Sequence, residues 1–590
     1  MSVIRSFAFV ATALLMVQAA PIAPAKAQTP FATIDDVTID AGFATYRIKH
    51  IDVFGGPMSA ADLRQLFDAN DPKPLPERLR AVSADRIVAS EIVAEPKAGT
   101  PGQTVTYRNF VLTGVNAGHV TDASAQSISM VLTDDNAGRI SGDFGAMTAH
   151  NIDFVLAGRI AASSRSDANE AKGLLYENFS LDGGGFVAQK ENVEITFGRI
   201  SGSKIKARPF ATPLSALPKD NSQPQVMTPE QKRMMAGFGA DLLDSFDIGS
   251  FEVRDIGVKG ISDAKPFNAH LDRMALADLG DAKIGEFSFA GFSTTSDHTR
   301  VSLGNVAFRG FDMSAMRTRM KAAASDIAQP LDEAKPRELM PNLREFSLSA
   351  FEYRGAGAGI VAGAGRGGAN MRINKIETRS SDVYEGIPTA LTASLDGLSF
   401  DVSATASNDS LRTIAGLGYS QVDLGSRMDV AWKQSAQELA ANEVSVAAAG
   451  MGALRLKGTL TNVSKDLFAP EPAVAQAAAL SALVKNVDLT VTDQGLLNRM
   501  IANEAKRSNR TPDAVRSEWV TAAAVGIPRA FGDATAGRTL GAAVSKFIAK
   551  PNTLHVSANA PNGIGAAELM LFSQDPAAFL KRMDVQASAE

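Results

Sequence analysis

The feature that most constrains this chain is a short recurring pattern: an apolar residue, two polar or glycine positions, then two apolar residues separated by one. It reads Tyr107-Arg108-Asn109-Phe110-Val111-Leu112-Thr113-Gly114, then Tyr176-Glu177-Asn178-Phe179-Ser180-Leu181-Asp182-Gly183, then Ile284-Gly285-Glu286-Phe287-Ser288-Phe289-Ala290-Gly291. Looser copies start at Ile48, Ile248, Leu303, Leu343, Leu395, Tyr419 and Val484. Phenylalanine holds the central position at Phe110, Phe179, Phe251, Phe287 and Phe346. The last three positions alternate with the period of a half-buried strand, which places the leading apolar residue, three positions earlier, on the opposite face. A bulge or turn at the intervening pair would reconcile the two. We therefore read the chain as a succession of such strands; an ordinary β-rich core is the plainer alternative for the same spacing.

The N-terminus reads as a targeting segment. Arg5 supplies the positive start, Phe7 to Ala20 is almost wholly apolar, and Ala25-Lys26-Ala27 is a small-x-small cleavage signal before Gln28. The apolar run falls short of the roughly 20 residues of a comfortable membrane span, although retention as an anchor is the alternative to cleavage. No later stretch reaches that length without charges, so no transmembrane segment is expected in the mature chain. The sequence has no cysteine, which excludes a disulfide scaffold and a lipoprotein held through an N-terminal lipidated cysteine. Together these features predict a periplasmic protein of a Gram-negative bacterium. Loss of Arg5 and Lys26 leaves 57 basic against 64 acidic residues, a net charge of −7 without a basic stripe, and nucleic acid is discarded as a partner.

The expected fold class is α+β and β-rich: an extended antiparallel meander or groove with inserted amphipathic helices and an α+β C-terminal cap. The expected organisation is a signal peptide over 1–27, a β-rich module with one helix over 28–208, a helix plus β-module over 209–342, a β-rich module over 343–470, and an α+β region over 471–590. Prolines at 209, 213, 218, 224 and 229, and again at 330, 336 and 341, mark the breaks. Ser59 with Asp62, and Thr228-Pro229 with Gln231, are helix starts. The second of these helices carries Met234, Met235, Phe238, Leu242 and Phe246 on one side. Strands are expected over Val105 to Leu112, Ile128 to Leu132, Ile152 to Leu156 and Val193 to Phe197. Helices are expected near Met313 to Ile327, Leu411 to Ala415, Ala473 to Ala482, Gly495 to Lys506, Thr511 to Ala524 and Thr539 to Ala549, with a last one opened by Asp575-Pro576. Absence of a crossover-length helical pattern between the early strands argues for a meander over a βαβ fold.

Motifs of chemistry are weak. The histidines at 50, 119, 150, 270, 298 and 555 are scattered without an i, i+4 pair, so no metal is expected. Ser201-Gly202-Ser203-Lys204 matches S-x-x-K but reads as a turn, and Gly363-Ala364-Gly365-Arg366-Gly367-Gly368 precedes a strand pattern and reads as a flexible loop. Asp134-Asp135-Asn136 lacks the glycine and glutamate placement of a calcium loop. No catalytic residue and no cofactor is expected.

One resemblance enters here. Leu411 to Leu424 with Gly418-Tyr419, then Trp432 in an alternating strand, then Val487-Asp488-Leu489 to Asp493-Gln494-Gly495-Leu496-Leu497, resemble the C-terminal half of uncharacterised envelope proteins of Gram-negative bacteria. The strand text before them is similar to the AsmA and TamB type of repeating β-groove proteins. That resemblance implies a long apolar trough involved in carrying lipid through the periplasm. The leading expectation is a non-enzymatic lipid-binding or envelope-maintenance protein, with lipid or an envelope protein as partner. Phe110, Phe179, Leu181, Phe251, Phe287, Phe289 and Phe346 are the candidate lining, an ordinary closed core being the competing role for the same side chains. A scaffold that pairs through sheet edges and an envelope hydrolase are the alternative functions.

Overall fold

The computed structural model describes residues 29–40, 44–66, 68, 71–96, 103–134, 138–165, 167, 169–190, 192–212, 228–262, 265–296, 299–326, 339–355, 369–384, 386–403, 408–531, 535–565, 568 and 582–590. The targeting segment, Asp135-Asn136, the Gly363–Gly368 loop and the helix expected from Asp575-Pro576 lie outside them. Strands make up 57% and helices 26% of the described residues, a β-rich α+β fold built on antiparallel pairing. The chain divides into two compact units, one of residues 1–297 and 307–341, the other of 298–306 and 342–590.

The first unit begins as a meander. Strands β1 (Ala32–Asp40), β2 (Ala44–Phe54), β3 (Ala84–Pro96) and β4 (Gln103–Asn116) pair in order. The sheet then splits. The C-terminal half of β4 pairs with β5 (His119–Ala125), which leads to β8 (Met147–Asp153), β9 (Gly173–Leu181) and β12 (Ile200–Ala207). The N-terminal half pairs with β6 (Ser127–Asp134), which leads to β7 (Gly138–Phe144), β10 (Gly184–Ala188) and β11 (Val193–Phe197). Both arms rejoin on β13 (Phe246–Ser262), and β14 (Lys265–Gly280) and β15 (Lys283–Ser296) follow it.

The gap of the sequence pattern holds a left-handed residue. Asn109 has φ 49° inside the Tyr107 copy with no shift of register, and Gly397 has φ 61° inside the Leu395 copy, where the register with β20 shifts. Elsewhere the left-handed residue sits on a neighbouring strand, facing the gap: Lys204 opposite Gly249, Asp278 opposite Gly285, Ala350 opposite Gly304. A Cβ on those glycines would lie only 3.0, 2.9 and 2.8 Å from the Cβ of the facing residue, which is why the gap so often holds glycine. Ser201 to Lys204, expected as a turn, lies inside β12, and Lys204 is left-handed at φ 51°.

Helices α1 (Ala60–Leu66), α2 (Leu75–Leu79) and α3 (Phe154–Ala162) belong to the first half of this unit. Ser59 and Asp62 cap α1 reciprocally: the Ser59 N–H donates to Asp62 at 2.8 Å and the Asp62 N–H to Ser59 Oγ at 3.2 Å. The strand expected over Ile152 to Leu156 is corrected. The Asp153 carboxylate accepts from the Leu156 N–H at 2.8 Å, ends β8 and starts α3. Alternation of Ile152, Phe154 and Leu156 fits a strand and one helical turn equally, and the cap decides.

Helix α4 (Pro229–Ser245) opens with the expected Thr228–Gln231 capping box, and α5 (Ser314–Ser325) packs beside it. Its expected apolar side is only partly covered: Phe238 meets Phe210 at 5.2 Å, but Leu242 is 46% exposed. Of two buried carboxylates on α4, Asp241 ties it to the segment after α3 and Asp244 ties it to α5. Arg165 donates to Asp241 at 2.7 Å, while Arg317 at 2.6 Å and Lys321 both donate to Asp244.

The second unit is a nearest-neighbour meander: β17 (Asn342–Gly355), β18 (Ala369–Tyr384), β19 (Ile387–Asp401), β20 (Gln421–Lys433), β21 (Glu438–Ala448), β22 (Gly452–Thr461), β23 (Leu483–Asp493), β24 (Thr553–Gly565) and β25 (Asp584–Ala589). Strand β16 (Thr299–Asp312) is shared between the units. Helices α6 (Asp409–Gly416) and α7 (Pro472–Ser481) fill connections, and α8 (Leu496–Arg507), α9 (Pro512–Ala530) and α10 (Thr535–Ala549) lie between β23 and β24.

Two outcomes follow. Asn109→Gly is expected to leave stability within about 0.5 kcal/mol, whereas Asn109→Val costs about 1–2 kcal/mol by denaturant unfolding, because a β-branched residue resists positive φ. Burial pushes the Asp244 carboxyl up, but hydrogen bonds from Lys321 and Arg317 outweigh it and hold it below the usual aspartate value. Such a group contributes stability above about pH 4 that is lost as pH falls through the folded value. Asp244→Asn should therefore cost about 1–3 kcal/mol at pH 7, with the deficit shrinking in thermal unfolding as pH falls below the usual aspartate value.

Candidate functional site

Strand register turns the sequence pattern into a ladder. One rung of the first unit runs Ala32, Val53, Ile87, Leu112, Ala123, Ala149, Phe179, Gly202, Phe251, Leu276, Phe287 from β1 to β15. A second rung runs Ile34, Ile51, Ala89, Phe110 over β1 to β4, and Ala125, Met147, Leu181, Ile200, Val253, Met274, Phe289 from β5 onward. Six of the seven candidate residues thus sit on two rungs of one sheet. Gly202 completes the first rung because the Phe179 ring lies over it, where a Cβ would come within 2.4 Å.

Burial changes along these rungs. Phe110, Phe179 and Leu181 are buried in the main core cluster, whereas Phe251, Phe287 and Phe289 are half-buried. The rings of Phe287 and Phe289 meet edge-on at 4.6 Å, and Phe179 reaches Phe251 at 6.1 Å. The candidate residues therefore divide between a closed core and a partly open apolar face.

Phe346 lies in the second unit, half-buried, on a rung that runs Thr378, Ala393, Met428, Val444, Leu456, Leu489, Val556, Ala587. Helix α10 covers the far end of that face, where Ala543, Val544 and Phe547 pack on Val491, Leu554, Val556 and Ala589. Toward the middle the cover is incomplete: Val446 is 43% and Leu454 41% exposed.

The first unit also holds a cavity of about 300 Å³ that no single stretch of sequence announced. Its floor is the sheet (Ile48, Ile51, Ile92, Tyr107, Phe110, Leu112) and its roof is helical (Leu63, Leu66, Leu79, Phe154, Ala157). Tyr107, Phe110 and Leu112 all line it, so the left-handed Asn109 has brought the leading apolar residue onto the face of the other two. Tyr46, Tyr107 and Tyr176 are its phenols; burial raises all three hydroxyl pKa values above their ordinary value, and Tyr107 also feels Tyr46. They stay protonated at neutral pH.

The opposite face is polar. Arg273 donates to Glu252 at 2.5 Å, Arg309 to Glu286 at 2.9 Å and Arg455 to Glu443 at 2.9 Å, all between strands. Histidines join in: His50 lies 2.6 Å from Asp35 and 3.2 Å from Asp52, and His150 lies 2.5 Å from Asp122. The Asp35 hydrogen bond is the main reason the His50 pKa is raised. Among the described residues no group of three or more His, Cys, Asp or Glu could hold a metal ion.

Comparison with known proteins places one segment. Residues 445–590 match a family described as "Uncharacterized protein". No curated protein and no solved structure shows a significant match. Within the matched segment, Asp493 accepts from the Gly495 and Leu497 N–H groups at 2.9 Å and starts α8. Arg499 then lies 4.0 Å over the Tyr419 ring and donates to the Gly418 carbonyl at 2.9 Å. These motif residues build a corner between helix and sheet. Among the described residues, no helix is long and apolar enough to cross a membrane.

Truncation should separate the two ends of the ladder. Phe179→Ala is expected to cost about 3–5 kcal/mol in urea unfolding, and half-buried Phe287→Ala only about 1 kcal/mol.

Proposed function

We propose that this chain is an exported, periplasmic binding protein for the acyl chains of envelope lipids, which it takes on the apolar face of its sheet. The observation that carries the reading is the rung Phe179, Phe251, Phe287, which leaves a closed core and continues as half-buried aromatic surface. Partly exposed apolar residues in a row cost solvation that a ligand would recover, at about 0.8 kcal/mol per buried CH₂. The all-antiparallel sheet with one polar and one apolar face agrees with the groove that the AsmA and TamB resemblance implies.

A scaffold that pairs through a sheet edge is the second reading, favoured by β25, which pairs with β24 alone among the described residues. Native mass spectrometry with solvent extraction, on protein purified from a periplasmic fraction, decides between them. Co-purifying phospholipid that Phe287→Asp with Phe289→Asp removes, while thermal unfolding stays cooperative, is the expected result. Folded protein that carries no lipid and takes none from phosphatidylethanolamine vesicles would remove the lipid reading.

A further inference from the structure

We infer that the helix-roofed cavity of the first unit is a socket for one saturated single-chain amphiphile of about a dozen carbons, its polar end held between the hydroxyls of Tyr46 and Tyr107. The inference rests on the proposed acyl-binding role but assigns it a different place and a different ligand class: a free fatty acid, not a two-chain phospholipid.

Size sets the chain. The cavity measures about 300 Å³, twice the ~150 Å³ of an apolar cavity that takes benzene, so it offers room for about twelve carbon atoms. Its lining runs along β4 from Tyr107 to Val115 and across the sheet from Ile39 of β1 to Tyr176 of β9, so the volume, not a narrow bore, sets the size of the ligand.

Chemistry sets the polarity. Apart from the phenols the wall is aliphatic or Phe, so a ligand's polar group has the tyrosines to turn to. Tyr46 is half-buried and Tyr107 buried, and they stand on strands β2 and β4 on either side of β3, opposite Ala94 and Ile92. At the other end the wall is tight at Gly118, whose φ is +81° and where a Cβ would lie 2.6 Å from Val155 and 2.8 Å from the Leu79 carbonyl. Tyr176 of β9 is level with Ile152 and so stands toward the Val115 end; a carboxylate set at the pair Tyr46 and Tyr107 leaves the chain to run from two phenols toward one.

The experiment is isothermal titration of the delipidated full chain with straight-chain fatty acids of eight to eighteen carbons, below their critical micelle concentrations. Affinity is expected to rise about fourfold per added carbon, the equivalent of about 0.8 kcal/mol per CH₂, to a maximum near twelve and to fall beyond it. Ala157→Phe, which fills the space from the roof, should abolish this binding, and Ala89→Leu, which fills it from the floor, should shorten the optimum. Tyr46→Phe with Tyr107→Phe should lower dodecanoic acid affinity about tenfold and leave the chain-length slope unchanged. A length dependence without a maximum, or Ala157→Phe binding that equals the parent's with cooperative unfolding retained, overturns the socket. Phospholipid carried by Ala157→Phe as by the parent keeps the ladder reading while the socket fails. Dodecanoic acid bound with the expected maximum by a protein that carries no phospholipid keeps the socket while the ladder fails.

Discussion

Everything in this molecule depends on one backbone device, the left-handed residue that faces a glycine or a short polar residue across two strands. Without it, apolar residues three apart would project from opposite faces of a strand, and Tyr107 could not share a cavity with Phe110 and Leu112. With it, each strand contributes an extra apolar side chain to the same face. The device is inexpensive where Asn109 or Asp278 takes the left-handed conformation, since short polar side chains tolerate it, and the facing Gly285 removes the clash.

One-sidedness is the consequence that organises the rest. A sheet with an apolar face must cover it, and the chain does so unevenly. Helices α1 to α3 close the face at the start of the first unit, and α10 closes the end of the second over β23 to β25. Between a covered and an uncovered stretch lie Phe251, Phe287 and Phe289, and in the second unit Val446 and Leu454. The cross-strand Arg–Glu pairs of the other face are largely solvated, so they add little stability and serve register and solubility. Their alternation with the apolar rungs keeps the register from slipping by one residue, which would turn every phenylalanine outward.

Helix placement follows from caps more than from periodicity. Asp153, Asp493 and Thr228 each donate nothing to the core, yet each sets where a strand stops or a helix starts. The roof of the cavity exists because Asp153 turns an apolar run into α3 and because Pro74 and Pro76 open α2 after α1 has ended. In the second unit the corresponding corner is fixed by Arg499 on Tyr419, a contact between residues eighty apart that joins the two motifs of the C-terminal resemblance.

Much of the fold was legible in the sequence by itself. Alternation and the recurring gap announced strands and their left-handed interruptions, and capping boxes announced α1 and α4. These are local signals, carried by spacing and by residues whose backbone preferences are strong. The same sequence marked Phe110, Phe179, Leu181, Phe251, Phe287, Phe289 and Phe346 as one class of residue, because a strand pattern states which side chains share a face and not what lies over that face. Tertiary structure alone decided which of them are buried and which are half-buried, that the early sheet divides into two arms, and that three short helices roof a cavity lined by three tyrosines. Those outcomes rest on contacts between elements distant along the chain, and burial is a property of such contacts, absent from any window of sequence.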